Sequence, residues 1–188
     1  GLSLLLYGPW WLIVAGVLIA IGALAYSAGP YPLSRHGWGE VAVILFFGVV
    51  PVWLTCVVQG SDAMYYAWAP GIAVGLMGAN VLIVNNYRDA DDDRAVGKRT
   101  IAVRFGRQIS SGLYLLSGWV AMGLMFPLWL VSIAWWWLIV PVLYLCLHTS
   151  LWVGLCVRSG TALNPLLGKT AMAMLVYCVA FTLICAFG

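Results

Sequence analysis

The chain has 188 residues, of which 64% are hydrophobic and only 8% charged, with a formal net charge of +3 and a mean hydropathy of +1.00. Soluble globular domains carry about 25% charged residues, so the composition excludes that class and indicates a membrane protein. The five cysteines lie inside apolar runs without C-x-x-C spacing. We therefore expect them to be small packing residues in the core, and not disulfides or metal ligands.

Six apolar runs follow one another along the chain, each close to the ~20 residues with which a helix crosses a bilayer. They are too long and too uniformly apolar for the ~10-residue alternating strands of a membrane barrel. The sequence therefore predicts an all-α integral membrane protein, a multi-span bundle that forms one domain over residues 1–188. The predicted spans are residues 10–28, 41–58, 67–87, 109–130, 134–157 and 170–187.

The first residues and the placement of basic residues add two expectations. Gly1 to Leu6 has the composition of the end of a further apolar helix, so we expect a C-terminal part of a longer protein. If the spans alternate in direction, all nine Lys and Arg residues fall on one side of the membrane. The positive-inside rule makes that side cytoplasmic, and tryptophans flank the opposite connections, as in an aromatic belt. The C-terminus then lies on the opposite side of what we expect to be a bacterial inner (plasma) membrane.

Residues 85–107, which we call the charged segment, hold four of the six acidic residues and six of the nine basic ones. The segment begins where the third apolar run ends. Most charge runs are solvated loops, but ionisable groups at the end of a membrane helix are costly and tend to be functional. This placement favours a site.

The spacing within the charged segment indicates the chemistry of that site. Asn85, Asp89 and Asp93 recur at i, i+4 and i+8, so they share one face if the helix continues through them. Such oxygen ligands suit Mg²⁺, which prefers one or two carboxylates together with substrate phosphates. The basic residues that follow are suited to binding phosphate oxygens. Asp91 lies at another angle, and we expect it to be solvated.

Three stretches of sequence resemble one family. The pattern N-N-x-R-D-x-x-x-D at residues 85–93, followed by GKRTIAVRFGR at 97–107, resembles the second Asp-rich motif of the UbiA superfamily of intramembrane aromatic prenyltransferases. YSAGPYPLSRHGWGEVAVILFFG at residues 26–48 and LNPLLGKTA at 163–171 are similar to the branch that prenylates 1,4-dihydroxy-2-naphthoate.

The resemblance implies a nine-helix bundle around a cavity that opens to lipid, with two Asp-rich motifs. The first motif has no match in this sequence, which therefore resembles the C-terminal two-thirds of such an enzyme, and alone should be inactive. The implied reaction is Mg²⁺-dependent transfer of a polyprenyl group from polyprenyl diphosphate to 1,4-dihydroxy-2-naphthoate, with decarboxylation to a demethylmenaquinone. This is a step of menaquinone biosynthesis.

The resemblance also assigns residues to roles. It implies that Asp89 and Asp93 bind Mg²⁺, with assistance from Asn85 or Asn86. The residues implied in catalysis are Asp89, Asp93, Lys98 and Tyr26. The residues implied in substrate binding are Asn85, Asn86, Arg88, Arg94, Ser27 and Arg35.

Two alternatives remain open from the sequence. One is a related prenyltransferase with another aromatic acceptor, such as 4-hydroxybenzoate or homogentisate. The other is a non-catalytic membrane protein or transporter that binds a phosphorylated ligand through its basic loops. Transporters usually carry ionisable residues at the membrane midplane, whereas these lie at helix ends.

Three features outside the charged segment have structural interpretations. Gly71, Gly75 and Gly78 form a small-residue face, which predicts close helix packing. His148 lies inside a span, where we expect a hydrogen bond to a neighbouring helix. Glu40 opens a helix, where a carboxylate favours the helix dipole, and its position on the side of the charged segment leaves a functional role open.

Overall fold

The computed structural model describes residues 8–60, 66–132 and 135–187, and within these ranges every regular element is helical. The prediction of an all-α bundle is confirmed. Gly1 to Leu6 and the first residue of the fifth predicted span lie outside the described residues. The helices are α1 (Leu12–Ser27), α2 (Gly39–Val58), α3 (Trp68–Arg88), α4 (Ala90–Ala95), α5 (Ile101–Ser132), α6 (Ile139–Val157) and α7 (Asn164–Phe187).

Five of the described helices, α2, α3, α5, α6 and α7, are long and apolar enough to cross a membrane. The first predicted span corresponds to α1, which is apolar but has only 16 residues. It ends at Ser27, just before Gly29, whose φ of 92° is left-handed and stops the helix. α5 and α7 begin several residues before their predicted spans. In α5 the backbone is non-helical at Gly106 (φ 85°, ψ 163°), so the residues before it form a short helical stretch separated by a kink from the long span. α7 starts at the Asn164-Pro165 pair, which marks a helix N-terminus.

α3 is the central helix of the bundle. It packs against α2, α5 and α7, and α6 completes the core on the far side of α5 and α7. Met77 of α3, Tyr114 and Trp129 of α5, Leu155 of α6 and the α7 side chains around Leu166 are almost fully buried there. The core thus fixes the last turn of α3, from which the charged segment begins.

Glycines allow α2 and α3 to cross at backbone contact. A Cβ on Gly48 would overlap the carbonyl oxygen of Gly71, and one on Gly75 would lie 2.6 Å from the carbonyl oxygen of Ile44. The predicted close packing is confirmed for Gly71 and Gly75. At Gly78 an added Cβ would lie 3.6 Å from Val43, which is an ordinary contact.

α2 contains a π-helical segment at Ile44–Val49. Pro51 follows within the next turn. Proline has no N–H to donate, and its ring clashes with the carbonyl of residue i−4, here Phe47. A wider turn accommodates both effects, which accounts for the π geometry just before the proline.

The cysteines do not behave as expected. All five are free, but Cys146, Cys156 and Cys185 are exposed on the outer surface of their helices and Cys56 and Cys178 are only partly buried. The expectation that they lie in the core is therefore wrong. The apolar run that surrounds each cysteine includes lipid-facing as well as core-facing positions, so membership in the run did not determine burial.

Five polar residues form what we call the helix-interior network, between α3, α5, α6 and α7. Ser117 donates to the side-chain oxygen of Asn80 at 2.6 Å, and the Tyr114 and Thr170 hydroxyls lie 3.0 Å apart. His148 Nε2 lies 3.0 Å from the carbonyl oxygen of Tyr114. The predicted helix-to-helix hydrogen bond of His148 is confirmed.

Candidate functional site

Arg88, the last residue of α3, holds three oxygen-bearing side chains. Its guanidinium donates to both carboxylate oxygens of Asp89 at 2.6 and 2.8 Å, and to the side-chain oxygen of Asn85 at 2.8 Å. It also donates to Asn164, the first residue of α7, at 2.9 Å. We call these four residues the Arg88 network. It joins two of the predicted metal ligands to each other and to the start of a distant helix.

Helical hydrogen bonding continues through the start of the charged segment. Asp89 has φ −91° and ψ 8°, so α3 formally ends there. Its N–H nevertheless donates to the Asn85 carbonyl at 3.0 Å, and the Asp93 N–H donates to the Asp89 carbonyl at 2.8 Å. The expected i, i+4, i+8 backbone spacing is therefore present. The side chains take different partners, because Asn85 and Asp89 bind Arg88 whereas Asp93 binds Lys98.

Gly97 places Lys98 against Asp93. With a φ of 74°, Gly97 is the left-handed residue that ends α4. The Lys98 N–H donates to the Asp93 carbonyl at 2.8 Å and the Gly97 N–H to the Arg94 carbonyl at 3.2 Å, which is the Schellman pattern. The Lys98 ammonium then lies 3.0 and 3.2 Å from the two carboxylate oxygens of Asp93. Asp93 is buried, with 8% of its surface exposed.

Two cations, Arg88 in contact and Lys98 at longer range, act on the carboxylate of Asp89. The hydrogen bonds from Arg88 hold the pKa of the Asp89 carboxyl below its ordinary value, and the charges of Arg88 and Lys98 add to this effect. Desolvation acts in the opposite direction and is outweighed. Lys98 therefore pairs with Asp93, and its charge also favours the ionised form of Asp89.

The remaining charged side chains hold the segment in place. Arg107 donates to the carbonyl oxygen of Tyr87 at 3.2 Å, which caps the end of α3, and pairs with Asp91 at 3.0 Å. Arg94 is largely exposed and lies 3.6 Å from Asp91. The Asp91 side chain is 69% exposed, so the expectation that it is solvated is confirmed.

The loop before α2 packs beside the charged segment through its backbone. The Arg99 N–H donates to the Arg35 carbonyl oxygen at 2.7 Å, and the Arg104 guanidinium to the His36 carbonyl oxygen at 3.3 Å. The side chains of Arg35 and Ser27, both predicted to bind substrate, are exposed. Arg35 thus contributes its carbonyl group to the loop contact, and its side chain remains accessible.

Glu40, in the first turn of α2, is buried beside the charged segment. Its Oε1 accepts a hydrogen bond from the side chain of Asn86 at 2.9 Å. Asn86, which was predicted to assist metal binding, therefore donates to the Glu40 carboxylate. The Tyr26 hydroxyl lies near the same place, 3.9 Å from the position that a Cβ on Gly39 would occupy.

An apolar cavity of about 400 Å³ opens between α2, α3 and α7, next to these groups. This volume lies within the ~300–1,000 Å³ typical of small-molecule sites. Asn85 is its one amide-bearing wall residue, so the cavity reaches the Arg88 network. Its lining residues are Val43, Phe47, Gly78, Val81, Leu82, Asn85, Leu167 and Met174.

The profile of the UbiA prenyltransferase family matches residues 1–162. The chain belongs to the UbiA prenyltransferase family. Membership in this family and the five long apolar helices make it an integral membrane protein. No solved structure matches the chain.

Curated relatives match nearly the whole UbiA chain. It is 35% identical to a protein of Mycobacterium tuberculosis and 34% identical to one of Mycobacterium leprae, over 100% and 96% of its length. A protein of Escherichia coli is 29% identical over 91% of the chain. All three are named 1,4-dihydroxy-2-naphthoate octaprenyltransferase, and the alignments span 64%, 60% and 56% of their respective lengths.

The donor set of the UbiA chain fits a divalent cation that binds together with a phosphorylated substrate. Within residues 8–60, 66–132 and 135–187, no group of three or more His, Cys, Asp or Glu side chains is arranged to hold a metal. Asp89 and Asp93 supply two carboxylates, which here are paired with Arg88 and Lys98 respectively. Mg²⁺ is commonly bound by one or two carboxylates, with waters and substrate phosphates as the other ligands. The two aspartates match that requirement.

Two of the contacts that assemble the site were not predicted. Asn164 was part of a recognised segment without an assigned role, although the Asn-Pro pair at the start of a helix marks a defined helix terminus. The bond from Glu40 to Asn86 joins residues 46 apart in sequence, and the bond from Arg88 to Asn164 joins residues 76 apart. The only sequence signal for such pairing was the presence of these polar residues at the ends of apolar runs.

Proposed function

We propose that the protein transfers a polyprenyl group from polyprenyl diphosphate to 1,4-dihydroxy-2-naphthoate, with loss of carbon dioxide, to give a demethylmenaquinol, the reduced form of a demethylmenaquinone. The observation that carries this proposal is that Asn85 lines an apolar cavity and shares its partner Arg88 with Asp89, while Asp93 and Lys98 pair with each other just after it in the chain. The names of the relatives support the choice of the naphthoate as acceptor. The assignment places the protein in menaquinone biosynthesis.

The charged segment binds the diphosphate in this proposal. Asp89 and Asp93 hold Mg²⁺, with Asn85 close to Asp89 through their common partner Arg88. Bound there, Mg²⁺ supplies Lewis-acid stabilisation of the negative charge that develops on the leaving diphosphate. Lys98 neutralises diphosphate oxygens, since its ammonium already lies beside Asp93.

Other predicted residues act around this centre. Arg94 extends into solvent and contacts a distal phosphate oxygen, whereas Arg88 keeps Asn85 and Asp89 in place. Tyr26 and Ser27 close the side of the site formed by the end of α1, and the exposed Arg35 side chain adds positive charge on the same loop.

The apolar cavity accounts for the second half of the reaction. When the allylic C–O bond breaks, the electron pair leaves with the diphosphate and a carbocation remains. An apolar environment that excludes water protects this cation from hydrolysis. The acceptor ring then attacks through the carbon that bears the carboxylate. The new C–C bond forms as the C–CO₂ bond breaks, and the polyprenyl chain enters from lipid because it is insoluble in water.

We infer that the charged segment faces the cytoplasm of a bacterial cell, within the inner (plasma) membrane. All nine basic residues support this orientation through the positive-inside rule. Single cysteines introduced at Ser159 and Gly60, in a background in which the native cysteines are replaced by Ala, test it in intact cells. A membrane-impermeant thiol reagent should label Gly60→Cys and not Ser159→Cys, and the reverse pattern would contradict the orientation.

The catalytic assignment is tested with membranes from cells that express the gene at full length. We expect Asp89→Asn and Asp93→Asn to lower naphthoate prenylation by about 100-fold or more, because each removes charge stabilisation at the reacting diphosphate. Asp92→Asn is the matched control, since Asp92 is exposed on the same short helix. Wild-type turnover in both the Asp89 and Asp93 variants would eliminate the metal assignment.

A further inference from the structure

Glu40 has a carboxylate oxygen for which the described part of the chain supplies no hydrogen-bond donor. The residue is 6% exposed. Its Oε1 accepts from Asn86, while its Oε2 is buried and unpaired among the described residues. Leaving a buried acceptor without a donor costs about 1–3 kcal/mol, and more if the group is charged. An unsatisfied group of this kind requires an explanation, and a bound ligand that donates to it is one.

Basic residues do not explain the burial of Glu40. Among the described residues, the ion pairs join Arg88 with Asp89, Lys98 with Asp93, and Arg94 and Arg107 with Asp91. Glu40 has none of these partners, and its one hydrogen bond comes from a neutral amide. The free oxygen therefore remains available to a donor that a ligand supplies.

Glu40 does not itself line the apolar cavity, but it lies one turn before the α2 residues that do. Glu40, Val43 and Phe47 recur at i, i+3 and i+7 of α2, and the last two line the cavity. The adjacent residue, Gly39, approaches a third lining residue, because a Cβ there would lie 3.1 Å from Leu82 Cδ2. A ring in this end of the cavity is close to both Asn85 and the first turn of α2.

We propose that Glu40 binds the aromatic acceptor, with its free Oε2 accepting a hydrogen bond from a ring hydroxyl group. This inference rests on the proposed function and adds a specificity residue to it. A hydroxyl supplies the missing donor, whereas the acceptor's carboxylate is repelled by Glu40 and is directed elsewhere. The residue thereby sets which edge of the ring faces α2.

Glu40→Gln isolates the free oxygen. Glutamine keeps a side-chain oxygen for the Asn86 amide and replaces the other oxygen with an NH₂ group, which cannot accept. A hydrogen bond to a charged group is worth about 1.5–3 kcal/mol, which corresponds to roughly 10- to 150-fold. We expect the KM for 1,4-dihydroxy-2-naphthoate to rise by about that factor while the KM for polyprenyl diphosphate stays at the wild-type value.

Acceptor analogues distinguish a direct contact from a structural role. The wild-type protein should discriminate 1,4-dihydroxy-2-naphthoate from 2-naphthoate, which has no hydroxyl, and from one of the two monohydroxy isomers. Glu40→Gln should lose most of this discrimination. If Glu40 acts only by holding Asn86, Glu40→Gln, which keeps that hydrogen bond, should retain the wild-type discrimination while Asn86→Ala lowers it, and this result would overturn the inference. Equal rises in both KM values, or discrimination that persists in Glu40→Gln, would also overturn it.

Equilibrium binding separates this inference from the proposed reaction. The affinity of purified protein for the same naphthoates, measured by tryptophan fluorescence without any prenyl donor, should fall in Glu40→Gln by the factor seen in KM. Absence of prenylation by the wild-type protein would refute the proposed function. The binding comparison still decides the role of Glu40, since unchanged affinity refutes it and a loss limited to hydroxylated rings supports it.

Discussion

The Arg88 network and the helix-interior network both connect α3 to distant helices, but they do so with different chemistry. The Arg88 network contains a guanidinium and a carboxylate whose side chains are 26% and 30% exposed. The helix-interior network contains amide, hydroxyl and imidazole groups, all buried. Polar groups that only neighbouring helices can reach contribute to packing. Polar groups at a helix end can exchange a protein partner for a ligand.

This difference leads to separate expectations for activity and stability. Changes in the charged segment should lower activity and leave the fold intact, because the core of α3, α5, α6 and α7 does not depend on them. Changes in the helix-interior network should lower stability and leave the activity of the folded fraction intact. The following substitutions test the separation.

The largest expected effect is on activity, from Lys98→Met. This substitution keeps an unbranched side chain and removes the ammonium group that lies 3.0 Å from Asp93. We expect kcat/KM for polyprenyl diphosphate to fall by about 100-fold, which corresponds to about 2.7 kcal/mol of transition-state stabilisation. We express kcat/KM per folded protein, because removal of the ammonium leaves the buried Asp93 carboxylate without its donor and also lowers the melting temperature. Lys169→Met is the matched control, and an equal loss in both variants would remove the special role of Lys98.

The next effect is on stability, from Gly118→Ala. An added Cβ would overlap the ring of His148, and overpacking of a core costs about 1–3 kcal/mol. Gly112, on the same helix, has open space around it, so Gly112→Ala should be neutral or slightly stabilising. Thermal unfolding in detergent measures both variants. A melting temperature for Gly118→Ala at or above that of Gly112→Ala would show that the helix-interior network is less tightly packed than described.

The smallest effect is expected from Arg88→Lys. Lysine keeps the charge but cannot bind Asp89, Asn85 and Asn164 at the same time, because an ammonium lacks the planar fork of a guanidinium. We expect about a tenfold loss of prenylation with little change in melting temperature. Arg158→Lys, in the exposed loop before α7, serves as the comparison. A large loss of stability in Arg88→Lys would show that the Arg88 network contributes to packing as the helix-interior network does, and the two networks would then not differ in this respect.

Local spacing predicted the parts of the site that depend on neighbouring residues. The i, i+4, i+8 order of Asn85, Asp89 and Asp93 is present in the backbone, and the exposed position of Asp91 was expected from the same geometry. The family assignment and the all-helical class also came from the sequence. The roles of Asn85, Asp89 and Asp93 in binding metal and substrate stay predictions.

Contacts between distant residues were not predictable in this way. The pairing of Asp93 with Lys98 depends on the left-handed backbone of Gly97, and that of Arg88 with Asn164 depends on how α7 is placed beside α3. Hydropathy also gave no indication of the burial of Glu40, because a single acidic residue at the edge of an apolar run is compatible with solvent or with a cavity. Such contacts arise from packing, which one-dimensional patterns do not contain.

The π-helical segment of α2 allows this helix to contact α3 at two separate points, through Glu40 and through Gly48. At 3.6 residues per turn, residues eight apart, such as Glu40 and Gly48, differ by about 80° around the axis. Bonding from i to i+5 over Ile44–Val49 turns the chain through a smaller angle per residue. The rotational phase of the second half of α2 is thereby shifted back, so Glu40 reaches Asn86 while Gly48 still rests on Gly71.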